Sequence, residues 1–174
     1  MQLFWENGYE GTALADIMNV TGLAKGSIYK AFKSKQNLYL LSLERYEKVH
    51  VDAAVKALLH DELPRIRINN FLSAPLKATT GKELRKGCFL CNASADQAAL
   101  DPKTRALVQR GFKKLSEAME QTVLELSPHW NKIRVTQISE SLLAIYSGLR
   151  IMSRSGMNTE RLEAAKSGAF LLLD

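Results

Sequence analysis

An all-α fold follows from three features of the sequence. Apolar residues recur at steps of three and four over long stretches, no segment sustains the period-two alternation of a half-buried strand, and only four prolines and ten glycines punctuate 174 residues. A hydrophobic fraction of 46% is ordinary for a globular chain, and the length suits one sizeable core or a small module continuous with a larger one. Lys and Arg outnumber Asp and Glu by 24 to 18, so the net charge of +6 favours an anionic partner without naming it. No apolar run approaches the ~20 residues of a membrane span, and the N-terminus lacks the basic start and apolar core of a signal peptide. Two cysteines without a secretion signal point to a reducing compartment, the cytoplasm.

Each element has a local reason. Met1 to Gly8 reads as the tail of a helix, with Leu3 and Phe4 apolar and Asn7-Gly8 as its stop. Thr12 suits an N-cap, and Leu14, Ile17 and Met18 follow on one face of a short helix. Thr21-Gly22 breaks that pattern, and a second short helix runs from about Ala24 to Phe32. On it Ala24, Ile28, Ala31 and Phe32 share one side, with Gly26, Tyr29, Lys30 and Lys33 opposite. Ser34 caps a long helix to about Leu59, apolar on more than one side through Leu38, Leu41, Leu43, Tyr46, Val49, Ala53 and Val55, and roughly 39 Å long at 1.5 Å per residue. Asp61 to Thr80 holds another helix, with Ile66, Ile68, Phe71 and Leu72 inward and Pro75 bending or ending it; Thr79 to Lys82 reads as loop.

Gly87-Cys88-Phe89-Leu90-Cys91-Asn92 opens the next helix, to about Ala99. Asp101-Pro102 is an N-cap followed by proline at the first helical position, and that helix continues to Leu126, closed by Ser127-Pro128. From Asn131 to Arg154 the series Ile138, Leu142, Ile145, Leu149, Met152 alternates steps of four and three, which suits a helix packed on other helices. After Ser155-Gly156, Asn158 or Thr159 caps a final helix carrying Leu162, Ala165, Ala169 and Leu172.

The two short helices joined by a glycine turn read as a helix-turn-helix. Between Asp16 and Glu44 there is no acidic residue, whereas Lys25, Lys30, Lys33 and Lys35 fall inside that interval. Lysines and the Tyr29 hydroxyl can hold phosphate oxygens, Gly26 allows close approach, and Ser27 and Lys30 sit where the first helical turns would read base edges in a major groove. An amphipathic hairpin with a solvated lysine face is the plainer alternative.

These residues also carry a resemblance. Phe4, Gly8-Tyr9-Glu10-Gly11-Thr12, Asp16-Ile17, Gly22-Leu23-Ala24-Lys25-Gly26-Ser27-Ile28-Tyr29 and Phe32-Lys33-Ser34-Lys35 resemble the DNA-binding domain of TetR-family repressors over about forty residues with many fixed offsets. The resemblance implies a helix-turn-helix DNA-binding domain at residues 1–45, a helical regulatory and dimerisation domain at 46–174, a homodimer on a palindromic double-stranded DNA operator, and release by a small-molecule or thiol-reactive effector. It makes Thr12, Lys25, Gly26, Ser27, Tyr29, Lys30, Lys33, Ser34 and Lys35 the DNA-binding candidates. Family members usually carry about ten to twenty residues more before this point, so a truncated N-terminus is expected here. Ala24 stands where the family commonly has Ser, a helix-start hydroxyl worth ~1 kcal/mol. A Gly-Cys-aliphatic-x-x-Asn segment such as Gly87 to Asn92 also recurs in many TetR-like regulatory domains.

Cys88-x-x-Cys91 places two thiols three apart on one helix face. A thioredoxin-like reading would want a βαβ context, and zinc would need four ligands, for which His50, His60 and His129 show no matching pairing. Packed core is one reading of the pair and a thiol-reactive or redox effector switch the other. Phe71, Cys88, Cys91, Phe112, Met119, Trp130 and Tyr146 are candidate effector-binding residues, each also compatible with plain core. Ile138, Leu142, Ile145, Leu149, Met152, Leu162, Ala165, Ala169 and Leu172 are the dimerisation candidates, because their stripes are hard to bury in one small subunit. No catalytic base stands beside either thiol by sequence, and no cofactor or metal motif is present, so the chain is not read as an enzyme. The alternative to a DNA-binding regulator is a helical ligand-binding or interaction protein whose DNA module has lost function.

Overall fold

The structure, a computed structural model, describes residues 1–77 and 86–174. Among the described residues every regular element is helical: α1 (Gln2–Asn7), α2 (Leu14–Thr21), α3 (Lys25–Phe32), α4 (Lys35–Tyr46), a π-helical turn (Glu47–Val51), α5 (Asp52–Leu58), α6 (Pro64–Lys77), α7 (Phe89–Ala95), α8 (Pro102–Leu126), α9 (Lys132–Arg154) and α10 (Thr159–Phe170). Short 3-10 turns follow α7 at Gln97–Leu100 and α10 at Leu171–Leu173.

α1, α2 and α3 form a small module on the start of α4. Gly22, at φ 68°, ends α2 by donating its N–H to the Met18 carbonyl at 2.8 Å, a left-handed position that glycine takes without strain. Ser34 caps α4, its hydroxyl accepting from the Asn37 N–H at 3.0 Å, while the Asn37 amide donates to the Phe32 carbonyl at 3.0 Å and closes the α3–α4 corner. Lys33 occupies that corner at φ 67°, the non-glycine residue with positive φ among those described. Ile28 is 2% exposed and Phe32 half-buried, so this strip ties α3 down. Ala24 and Ala31, expected on the same side, are exposed, because α3 lies at the edge of the module and one narrow strip suffices to seat it.

α4, the π turn and α5 make one unbroken rod from Lys35 to Leu58. Leu41 and Val49 face outward on it, so its apolar coverage is narrower than the sequence suggests. The rod packs on α8, and α6, α8, α9 and α10 build the larger layer around Leu72, Met119, Leu142, Leu149 and Leu162, all buried. Three corrections belong here, and one reading falls outside the described residues. α6 begins at Pro64 rather than Asp61, and it runs through Pro75 to Lys77 without ending there. Residues 79–82, read as loop, lie outside the described residues. The helix opened by Cys88 stops at Ala95 and resumes as a 3-10 turn, because Asp96 takes an extended conformation and caps the new turn from its side chain. Leu142, Leu149, Leu162 and Ala169, proposed for dimerisation, are spent inside the subunit's own core, and Ile138, Ile145, Met152, Ala165 and Leu172 pack half-buried against it.

A lysine-bearing face and an aromatic cavity

The outward side of α3 has the character anticipated for it. Lys25, Gly26, Ser27, Tyr29, Lys30 and Lys33 are all exposed, and Ser34 and Lys35 are half-buried at the start of α4. The Lys35 ammonium sits 4.4 Å above the Tyr9 ring, a cation–π contact that holds it at the module's edge. Gly26 is informative because nothing inside the chain requires it: its φ is not left-handed, and an added Cβ would meet no atom within 4 Å. A glycine in a helix costs about 0.5–1 kcal/mol against alanine, and nothing in the described structure repays that cost at this position.

Thr12 does not belong to this face. It is fully buried, and its hydroxyl donates to the Gly8 carbonyl at 2.7 Å, tying the α1–α2 connection together. The N-cap of α2 is Ala13 instead, whose N–H donates to the Asp16 carboxylate at 2.8 Å. Ala24 begins α3 without any side-chain cap, as the alanine at that position implies.

A cavity of about 320 Å³ lies deeper, where α1, the rod, α6, α7, α8 and α9 meet. The Phe71 and Tyr146 rings stack in its wall with centroids 4.0 Å apart. Trp5 from α1 and Tyr46 and His50 from the rod line it as well, the Trp5 ring standing edge-on to the other two at 4.9 Å. Of the predicted effector residues, Phe71, Cys88 and Tyr146 are in the lining. Cys91 sits behind Cys88 and hydrogen-bonds it. Phe112, Met119 and Trp130 lie elsewhere: Phe112 borders a groove on the far side of α8, Met119 is sealed in the core, and Trp130 packs under the Arg134 guanidinium at 4.0 Å. The sequence reading missed Trp5, Tyr46, His50 and Arg150, because they come from elements far apart in the chain. Only the steps between Tyr46 and His50 and between Tyr146 and Arg150, each one helical turn, could have hinted at a shared face.

The electrostatics of the cavity centre on Arg150. Its Nε donates to the Tyr146 hydroxyl at 2.9 Å, and its guanidinium carbon lies 5.0 Å from the Tyr146 ring centroid. Burial pushes Tyr146 up to about 12. Cys88, wholly buried, is drawn down chiefly by a hydrogen bond from the Cys91 thiol, against its own desolvation, and further by the Tyr46 hydroxyl, which donates to its Sγ at 3.5 Å, and by the Arg150 charge. Cys91 is correspondingly driven up by its bond to Cys88 and by burial.

The cavity and the lysine face are physically joined. Trp5 lines the cavity and belongs to α1 of the small module. The Asn92 amide, in the same short helix that Cys88 caps, donates to the Trp5 carbonyl at 3.0 Å and to the Lys86 carbonyl at 2.7 Å. At the next corner Asp96 accepts the Tyr9 N–H at 2.6 Å, and Tyr39 lies in a run of edge-on rings from Tyr9 and Phe4 through Phe89 to Tyr46. The π turn adds a clamp. Glu47 is buried there and accepts from Arg110 Nε at 2.9 Å and Nη2 at 2.5 Å, with the Lys114 ammonium at 2.7 Å. Burial alone would raise the Glu47 carboxyl, but the bonds and charges of Arg110 and Lys114 outweigh it and hold it below its ordinary 4.5.

A helix-turn-helix presenting lysines, fused through one rod to a helical domain with an internal cavity, defines a DNA-binding transcriptional regulator of the one-component kind. Residues 1–41 match the family model described as bacterial regulatory proteins, tetR family. The chain is 27% identical over 169 residues to the HTH-type transcriptional repressor ComR of Escherichia coli, covering 93% of this chain and 79% of the relative. It is also 27% identical over 118 residues to the uncharacterised HTH-type regulator YezE of Bacillus subtilis, covering 68% of this chain and 61% of that one. Among solved structures, reduced NemR of E. coli superposes with a TM-score of 0.84 at 21% identity over 97% of this chain and 89% of its own. A cysteine mutant of the TetR-family regulator CifR, complexed with 26 bp of double-strand operator DNA, superposes with a TM-score of 0.75 at 22% identity over 97% and 90%. The family-model match, the HTH-type relatives and the structural neighbours all support a TetR-family transcriptional regulator.

Proposed function

We propose that the chain acts in the cytoplasm as a homodimeric repressor that leaves a palindromic operator when a small molecule fills the cavity. The single observation that carries the DNA side is Gly26 among exposed lysines, a helix position unexplained by the fold and open to a close partner. Lys25, Lys33, Ser34, Lys35 and Tyr29 then hold phosphates, and Ser27 and Lys30 read bases. In a dimer the two α3 helices would enter major grooves one turn (~34 Å) apart or a small multiple of it.

The dimer face we favour is not the predicted stripe but its neighbour. Ala144, Ile151, Ala164, Gly168 and Leu171 are exposed on one side of α9 and α10, with Ile151 at 59% and Leu171 at 75%. Gly148 and Gly168 repeat the logic of Gly26, since an added Cβ at either would meet nothing within the subunit. Small residues there allow two copies of the helix pair to approach closely. Effector release rests on the joint between cavity and module. A ligand pressing on Trp5, Tyr46 or His50 acts on α1 and on the rod at the π turn, and operator affinity falls if the ligand prefers the altered spacing. The acidity of Cys88 keeps a thiol-reactive effector within this reading.

A mobility-shift titration of the full chain against the DNA flanking its own coding sequence tests the reading. A sequence-dependent shift that weakens with salt is expected; its absence favours the helical ligand-binding protein with an inactive DNA module. Lys35→Ala should weaken binding to all sequences alike and lower the salt slope, whereas Ser27→Ala or Lys30→Ala should change which operator is preferred. Sedimentation of Gly148→Leu should show a monomer where the parent is a dimer.

A further inference from the structure

We infer that the cavity takes a small aromatic carboxylate, its ring among the aromatic walls and its carboxylate on Arg150. This deepens the effector reading above and rests on it. Arg150 brings a fixed positive charge into a lining that contains no Asp or Glu among the described residues. The groups acting on it are all weak acids: the Tyr146 and Tyr46 hydroxyls and the Cys88 thiol. Its Nε is bonded to the Tyr146 hydroxyl, and that oxygen is itself a neutral partner, because burial holds its pKa up. A half-buried guanidinium without a carboxylate is an incomplete ion pair, and a planar carboxylate completes it through the fork of parallel N–H donors that arginine presents.

A second observation points the same way. The Trp5 indole N–H is buried without a hydrogen-bond partner among the described residues, and Trp5 is in the cavity lining. The rest of the wall sets the body of the ligand. Stacked Phe71 and Tyr146, with the Trp5 and Tyr46 rings, favour a flat apolar skeleton, and about 320 Å³ is near the lower end of the ~300–1,000 Å³ that ligand sites span. One or two fused rings fit that room.

The test is calorimetric titration of the intact chain with benzoate and 2-naphthoate, set against benzamide and 2-naphthamide, which keep the shape and lose the charge. At least one acid should bind ten-fold or more tightly than its amide. Arg150→Met should erase that preference while leaving the amide's weak binding, and Arg150→Lys should retain part of it. Cys88→Ser should leave the order of acid over amide intact. Amides binding as well as the acids, or an acid preference that survives Arg150→Met, would overturn the inference. So would failure of all four probes to bind the parent. A mobility shift with the same probes separates this from the effector reading. Neutral ligands that bind and release the operator would refute the anion and keep the effector; a carboxylate that binds through Arg150 without releasing the operator would do the reverse.

Discussion

The outward face of α3 and the cavity beneath α7 are built on opposite physical plans. On the face, six residues between Lys25 and Lys33 point into solvent and make few contacts with their own chain. Their cost to the fold is small and their value lies in a partner. In the cavity Trp5, Tyr46, Phe71 and Tyr146 do two jobs, as buried core residues and as a wall. The face can therefore vary without loss of stability, whereas a change at the cavity or its joint is felt in the fold and in the lysine face together. Function at a surface is separable from folding; function at a shared core is not.

Five substitutions break or sharpen that contrast, beginning with the largest effect. Tyr39→Ala removes a fully buried ring that touches Phe4, Tyr9 and Phe89, and should cost about 3–5 kcal/mol by urea denaturation. A loss under ~1 kcal/mol would show that the joint between module and sensor is soft. Glu47→Gln should cost about 1–3 kcal/mol near neutral pH, the value of hydrogen bonds to a charged group. Its pH dependence has a definite sign. The folded carboxyl lies below its ordinary 4.5, so its contribution is present above that pH and fades as pH falls through the lower folded value. The gap between parent and variant should therefore close on acidification, and a gap that widened would refute the clamp.

Asn92→Ala deletes two hydrogen bonds to backbone carbonyls, one of them on Trp5, and should cost about 1–2 kcal/mol. If α7 carries the signal, this variant should also release the operator less sharply for the same ligand occupancy in a paired binding and mobility-shift experiment. Gly26→Ala reverses the usual alignment of stability and function. It should raise stability by about 0.5–1 kcal/mol in thermal denaturation and yet weaken operator binding, and unchanged binding would remove the close-approach argument. The smallest effect belongs to Tyr39→Phe. The Tyr39 hydroxyl is buried without a partner among the described residues, so its removal should be neutral or slightly stabilising, and a loss above ~1 kcal/mol would refute that reading.

Much of this was legible in the chain, and what was not has a common cause. The caps at Ser34, Asp101 and Asn158 and the turn at Gly22 depend on residues within a few positions of each other, and each was found where the local chemistry put it. The lysine run of α3 is local for the same reason. Thr12 misled because a good capping residue is also a small hydroxyl that can be buried against a carbonyl, and only its neighbours decide between the two. The stripe on α9 and α10 misled because periodicity reveals an apolar face without saying which neighbour covers it: Leu142, Leu149, Leu162 and Ala169 went to the subunit's own core, while Ile151 and Leu171 stayed outside.

By itself, then, the sequence determined what depends on near neighbours: the helical class, the helix-turn-helix, the family resemblance, and a lysine run free of acids between Asp16 and Glu44. Tertiary structure alone decided which rings meet. Trp5, Tyr46, Phe71, Cys88, Tyr146 and Arg150 enclose one space although the first and last are far apart in the chain, and the Arg150 guanidinium lacks a carboxylate among the described residues only because of where the helices cross. Periodicity fixes a side chain's direction relative to its own axis; which partner lies in that direction is set by the packing of helices against each other, and the cavity exists only there.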